Sequence, residues 1–265
     1  MDIHETAVVE KGAQVAKDVK IGAYSYVGEN VRIGEGTVIM PNVIIKGNTE
    51  IGENNTIFSF AVIGEVPQDL KFKGEDSRVE IGDNNSIREH CTIHLGTSGG
   101  GMVTKVGNGN LLMVNTHIAH DCILGDNNII ANNATFAGHV IIGDNVHVGG
   151  LSATHQFVRF GNGSMLGGMS ALGEDLIPWG MAYSESGRRS NLQGLNLVGL
   201  KRAGYSKKDI SDALKFYKEV FESDGSIVER AKEFGKKYED NKIVSEIANF
   251  MGENTDRQFC GIRQK

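Results

Sequence analysis

An aliphatic residue stands at every sixth position from Ile3 to Ile63, through Val9, Val15, Ile21, Val27, Ile33, Ile39, Ile45, Ile51 and Ile57. The same phase resumes at Ile81, Ile87 and Ile93. The period of six then runs again from Val106 to Leu172, shifted by one position, with Thr154 the one polar residue in the series. Neither an α-helix nor an amphipathic strand has a period of six, whereas stacked hexapeptide coils do. Each hexad is a short flat with its aliphatic residue pointing inward, and three flats close a triangular coil of about 18 residues. A small residue often follows the aliphatic one, as in Ile33-Gly34, Ile51-Gly52 and Leu124-Gly125, and Asp, Glu or Asn come next. These residues tolerate tight corners and positive φ. A mainly β solenoid is therefore predicted over residues 1–185.

The phase breaks twice, and a break in a solenoid marks a loop. Ile63 and Ile81 are 18 residues apart, one coil's worth, so residues 64–80 between them are expected to replace much of a coil. Residues 94–105 contain GTSGGGMVTK and are expected to project from the stack. Gly99–Gly101 are not followed by the Lys-Ser/Thr of a phosphate-cradling loop, nor by a strand-to-helix context. After Pro178 the spacing becomes helical. A capping box over Ser206–Asp209 precedes Ile210, Leu214, Tyr217 and Phe221, and Ser226 can start a second helix. An α-helical domain is predicted over 186–265, covering the end of the coil stack.

Composition narrows the function classes. Thirty-five glycines and three prolines in 265 residues suit a corner-rich solenoid. A net charge of −6 argues against nucleic acid as a general partner. No stretch reaches the ~18 apolar residues of a membrane span. The N-terminus has neither the basic nor the apolar region of a signal peptide. Cys91, Cys122 and Cys260 lack metal-type spacing and are odd in number, which reads as reduced thiols in a cytoplasmic protein.

Eight histidines remain, and coil phase sorts them. His120, His139 and His155 recur at nearly the same azimuth on successive coils, about 4.8 Å apart. Together with His117 and Asp121 they form a cluster, whereas His4, His90 and His147 read as ordinary surface residues. A histidine column can serve acid–base chemistry, hold a metal, or form a polar ladder at a subunit contact.

Longer motifs carry a resemblance. IGEVPQDLKFKGE (63–75), EIGDNNSIREHCTIHLGT (80–97), NLLMVNTHIAHDC (110–122), ANNATFAGHV (131–140), THQF (154–157) and NLVGLKR (196–202) occur in this order. On these motifs the chain resembles the UDP-N-acetylglucosamine acyltransferases of lipid A biosynthesis over nearly its whole length. The resemblance implies a left-handed parallel β-helix and a homotrimer with sites between neighbours. It also implies transfer of an (R)-3-hydroxyacyl group from acyl carrier protein to the 3-hydroxyl, or 3-amine, of UDP-N-acetylglucosamine, with no metal or cofactor. By match to the family motifs, His120 is the general base, Asp121 its orienting partner and the Gly138 N–H the oxyanion donor. Gln68, Asp69, Lys71, His117, His139, His155 and Gln156 are implied as substrate-positioning residues. Asn196 and Arg202 match positions near the uridine diphosphate, and Gly168 matches the position that limits acyl length. Val198 and Ala203 depart from the family pattern, standing where acidic and basic residues occur. An acidic carrier protein needs a basic surface, for which Arg188, Arg189, Lys201, Arg202, Lys207 and Lys208 are candidates. Rival readings are a hexapeptide acyltransferase using acetyl-CoA, a metal-dependent γ-type carbonic anhydrase, and a non-enzymatic scaffold.

Overall fold

A computed structural model describes residues 2–185, 189–253 and 257–262. The hexads close into a left-handed parallel β-helix. Most strands are two residues long, and the chain visits three sheets in turn, of eleven, nine and eight strands among the described residues. Each strand pairs in parallel with the one a coil later, as in Ile3↔Ile21 and Ile21↔Ile39, an interval of 18 residues. The periodic aliphatic residues fill the interior: Ile39, Ile57, Ile87, Leu112, Ile130 and Leu166 are essentially inaccessible. Asn54, Asn84, Asn127 and Asn145 turn corners at φ of 55–58°. Asn55, Asn85 and Asn110 form a buried ladder in which the Asn55 carbonyl accepts from the Asn85 amide at 3.0 Å and the Asn85 carbonyl from the Asn110 amide at 3.0 Å.

Both loops differ from expectation. Ile51 pairs with Ile81 and Ile63 with Ile93, an interval of 30, so twelve residues are inserted at one corner and no coil is replaced. Ile81 pairs with Val106 and Ile93 with Ile118, an interval of 25, so seven are inserted. Both insertions leave the corner between the second and third sheets. The second loop does not project. It folds back with Gly100 N and Met102 N donating to Thr97 O at 3.1 and 3.0 Å, and Glu75 of the first loop accepts from Ser98 N at 3.0 Å. That bond, followed by the one from Lys73 N, holds the Glu75 carboxyl down at about 2.

The boundary expected at 185/186 also moves. Asn191–Leu195 is still a strand, antiparallel to Gly180–Tyr183 at the end of the first sheet, because a hairpin closes the exposed edge. Helices begin at α1 (Leu197–Arg202), followed by α2 (Lys207–Phe221), α3 (Ile227–Gly235) and α4 (Lys242–Gly252). Ser206 caps α2 by accepting from Asp209 N at 3.1 Å, and Ser226 caps α3, as the motifs predict. The helices are tied to the last coils through Glu246, which accepts from Trp179 Nε1 at 2.8 Å and Asn162 Nδ2 at 2.7 Å. The segment 257–262 returns to the solenoid, with Asp175 N donating to Gln258 O and Cys260 N to Asp175 O. No described helix is long and apolar enough to cross a membrane.

Candidate active site

The corner that carries both loops also carries the histidines. His117 closes the strand His117–Ile118 in the second sheet, and His120 and Asp121 make the turn into Ile123–Leu124 of the third. Asp121 adopts φ 60°, a conformation that aspartate tolerates better than bulkier residues. Its backbone N–H donates to Thr104 Oγ1 at 2.8 Å. The carboxylate is inaccessible and accepts from Thr97 N at 2.8 Å and Thr97 Oγ1 at 2.6 Å. Gly100 crosses directly above it, where a Cβ would lie 2.0 Å from Asp121 Cγ. The glycine run of the second loop thus serves close approach to this carboxylate.

Asp121 Oδ2 lies 2.8 Å from His120 Nδ1. A carboxylate held by two other donors can only accept, so Nδ1 carries the proton and Nε2 presents its lone pair. Nε2 faces the next coil at Gly138, where a Cβ would come within 2.5 Å of Nε2 and 2.3 Å of Cε1. Only glycine leaves room for the ring. The Gly138 N–H has no acceptor among the described residues.

The expected column holds for two coils and changes on the third. His139 N donates to His120 O and Phe157 N to Gly138 O, so Asp121, His139 and Phe157 are the true register partners. His139 packs edge-on to His120 at 4.9 Å between centroids, and Phe157 stacks on His139 at 4.3 Å. His155 falls two positions earlier, outside the column, where it meets Arg257. His120, Asp121 and His139 place three ligand-type atoms within 4.8 Å of one another. Both Asp121 oxygens are already hydrogen-bond acceptors, which fits proton handling.

His117 accepts or donates at Nδ1 with Thr92 Oγ1 at 2.7 Å. Edge-on to it lies His94, 4% exposed and with its Nδ1 unpartnered. Sequence reasoning missed His94, although its position after Ile93, where the stack opens into the second loop, was a usable signal. Burial, and next the neighbouring His94 and His120, push His117 down to about 4. Burial likewise lowers His94, His139 and His147. Since the folded values lie below the unfolded ones, stability is complete above about pH 6.5 and declines as pH falls toward 4. Denaturant melts at pH 7 and pH 4.5 should show this loss, and His117→Gln should flatten it; equal losses in both proteins would contradict the assignment.

Asp69 and Lys71, on the first loop, come within electrostatic reach of His139, the one raising and the other lowering it. Gln68 is exposed beside them. Other expected residues lie on other edges of the prism. Arg202 and Asn196 border a cavity of about 670 Å³ with His147, Met165, Trp179 and Met181, on the first sheet. Asn196 is engaged structurally: its Oδ1 caps α1 through Gly199 N at 2.9 Å and its Nδ2 donates to Gly163 O at 2.9 Å. It therefore fixes the helix that carries Arg202. Gly168 is exposed at the corner between the first and second sheets, and a Cβ there would lie 3.3 Å from Gly150 O. Gln156 is exposed beside Phe157. Arg189 bridges Ala171, Lys208 pairs with Asp212 at 3.0 Å, and Arg188 lies outside the described residues. Burial raises the Cys122 thiol to about 12, which suits packing.

Fold and site together define an acyltransferase of the hexapeptide-repeat class, with an oriented imidazole at a coil corner. Residues 30–65 and 104–138 match the bacterial transferase hexapeptide family, and residues 175–260 match the second domain of UDP N-acetylglucosamine O-acyltransferase. The acyl-[acyl-carrier-protein]–UDP-N-acetylglucosamine O-acyltransferase of Rickettsia canadensis is 54% identical over 98% of this chain and 97% of its own length. The Rickettsia prowazekii protein of the same name is 52% identical over 99% and 98%. The crystal structure of the Moraxella catarrhalis UDP-N-acetylglucosamine O-acyltransferase superposes with a TM-score of 0.93 at 44% identity, covering 98% of this chain and all of that one. The chain belongs to the acyl-[acyl-carrier-protein]–UDP-N-acetylglucosamine O-acyltransferase family.

Proposed function

We propose that this enzyme transfers an (R)-3-hydroxyacyl group from acyl carrier protein to the 3-hydroxyl of UDP-N-acetylglucosamine, the first step of lipid A biosynthesis, in the cytoplasm. The observation that carries this reading is the His120 imidazole, held at Nδ1 by buried Asp121 with its Nε2 facing the backbone of Gly138. A sugar hydroxyl is a weak nucleophile and needs a base near neutral pKa as it attacks a thioester. His120 Nε2 takes the hydroxyl proton while the oxygen attacks the carbonyl carbon. Negative charge gathers on the carbonyl oxygen, where the Gly138 N–H donates to it. The C–S bond then breaks, and the imidazolium, stabilised by Asp121, returns its proton to the leaving thiolate. Asp69, Lys71, Gln68, His117, His139, His155 and Gln156 position the substrates around this centre.

The site is completed between protomers of a homotrimer. Within one chain, His120 and Gly168 lie at two different corners and Arg202 on the first-sheet face, which supports a site assembled where one protomer's corner meets a neighbour's first-sheet face. Leu70, fully exposed at the tip of the first loop, and Phe157, 51% exposed, offer apolar surface for that contact. In this arrangement Arg202 meets the diphosphate, as a guanidinium suits. Gly168 leaves a groove open for a long acyl chain. The 3-amine of a diamino sugar is the alternative acceptor for the same base.

A ladder of 3-hydroxyacyl carrier proteins, offered with UDP-N-acetylglucosamine and with its 3-amino analogue, tests the reading. A preferred long chain on one acceptor is expected, with Gly168→Met shifting the optimum to shorter chains. Turnover of acetyl-CoA alone, or no transfer from any donor, would overturn it.

A further inference from the structure

The C-terminal segment reaches the functional corner. Arg257 lies 102 residues from His155 in sequence, yet its Nη2 sits 2.9 Å from His155 Nδ1, and its Nη1 donates to Gly173 O at 3.4 Å. Segment 257–262 is fixed to the solenoid just beyond it. Asp175 bridges Phe259, Leu192 N donates to Gly261 O at 2.9 Å, and the Cys260 thiol faces Ser190 O.

From this geometry we infer that Arg257 is a positioning residue for acyl transfer, holding the His155 imidazole in one orientation and one tautomer. A guanidinium has donors only and keeps its proton in proteins. His155 Nδ1, within 2.9 Å of it, is therefore the acceptor, and the 3.2 Å approach of Nδ1 to Gln156 O is a contact without a proton between the atoms. The ring proton resides on Nε2, so His155 offers a substrate an N–H donor. Gln156 aligns with Gly138 and His120 on the two preceding coils, and His155 stands one residue before it. The donor thus sits about two coil spacings, on the order of 10 Å, along the stack from the base, within the length of a bound acyl-carrier arm or nucleotide sugar. His155 is exposed, and the guanidinium of Arg257 is the side chain seen to hold its ring.

The inference rests on the proposed function and is separable from it. Kinetics of His155→Ala, Arg257→Ala, Arg257→Lys and the double alanine variant are measured on the full-length enzyme, with each substrate varied in turn. Arg257→Ala is expected to lose about as much kcat/KM as His155→Ala, on the order of 5- to 50-fold. The double variant should lose no more than either single one, and Arg257→Lys should recover part of the loss. Side-chain ¹⁵N spectra should show His155 as the Nε2–H tautomer in the parent and mixed tautomers in Arg257→Ala, with unchanged thermal unfolding. Additive losses, parent-like kinetics in Arg257→Ala, or a His155 tautomer that does not respond would overturn the inference. Full activity in His120→Ala would instead overturn the catalytic reading on which it stands.

Discussion

His120→Ala lowers kcat for acyl transfer about a thousandfold, the usual weight of a well-placed general base, while nucleotide-sugar binding and thermal stability stay near the parent's. The binding expectation follows from geometry: His120 lies on the second–third sheet corner, whereas Arg202 and its cavity lie on the first sheet. The stability expectation follows from Asp121, which keeps both Thr97 bonds when the imidazole is gone. Single-turnover transfer beside equilibrium binding of UDP-N-acetylglucosamine separates the two. Loss of binding equal to the loss of rate would mean that His120 only holds substrate.

Gly138→Ala is the second large effect, and it is argued from space. The added methyl would stand 2.3–2.5 Å from the His120 ring, less than any real contact, and the ring would have to leave Asp121 to relieve it. The backbone is not the obstacle, since Gly138 has an ordinary φ. Loss of about a hundredfold or more in kcat is expected, because both the base and the approach to the oxyanion donor are displaced. The β-helix should survive, as read by circular dichroism and by an unchanged oligomer size. A kcat within a factor of three of the parent would show that the ring does not occupy this position during catalysis.

Much of the architecture was legible because a solenoid repeats one local rule. Each hexad buries one aliphatic side chain, so Ile21, Ile57 and Leu112 announced the interior without knowledge of distant contacts. Corners obey no such period. A shift of two positions separates His155 from the column that His139 and Phe157 form, and azimuth counted in coils cannot resolve it. Loop direction was likewise hidden. Residues 64–80 span the right length for a coil, and only strand pairing shows them to be an insertion. His94 escaped notice because its meaning depends on His117, a neighbour one coil and 23 residues away, and on burial. Asn196 was found for its motif, but its amide proves to be part of the helix cap. The boundary at 185 gave way because an antiparallel hairpin follows the last parallel turn without any change in composition.

The two insertions, twelve and seven residues long, differ in one arithmetic respect: seven is not a multiple of six, so along the sequence the aliphatic period resumes at Val106 one position out of phase, yet in the stack Val106 still pairs with Ile81. Stacking register is set flat against flat, and a chain that leaves and re-enters at a corner need only return its next strand to the same rung. Length at this corner is therefore a free variable, uncoupled from the lattice of the prism. The scaffold works as a rack with one open port, and the parts plugged into it, one loop bracing Asp121 and the other reaching toward the substrates, can be lengthened, shortened or exchanged without re-cutting the rack.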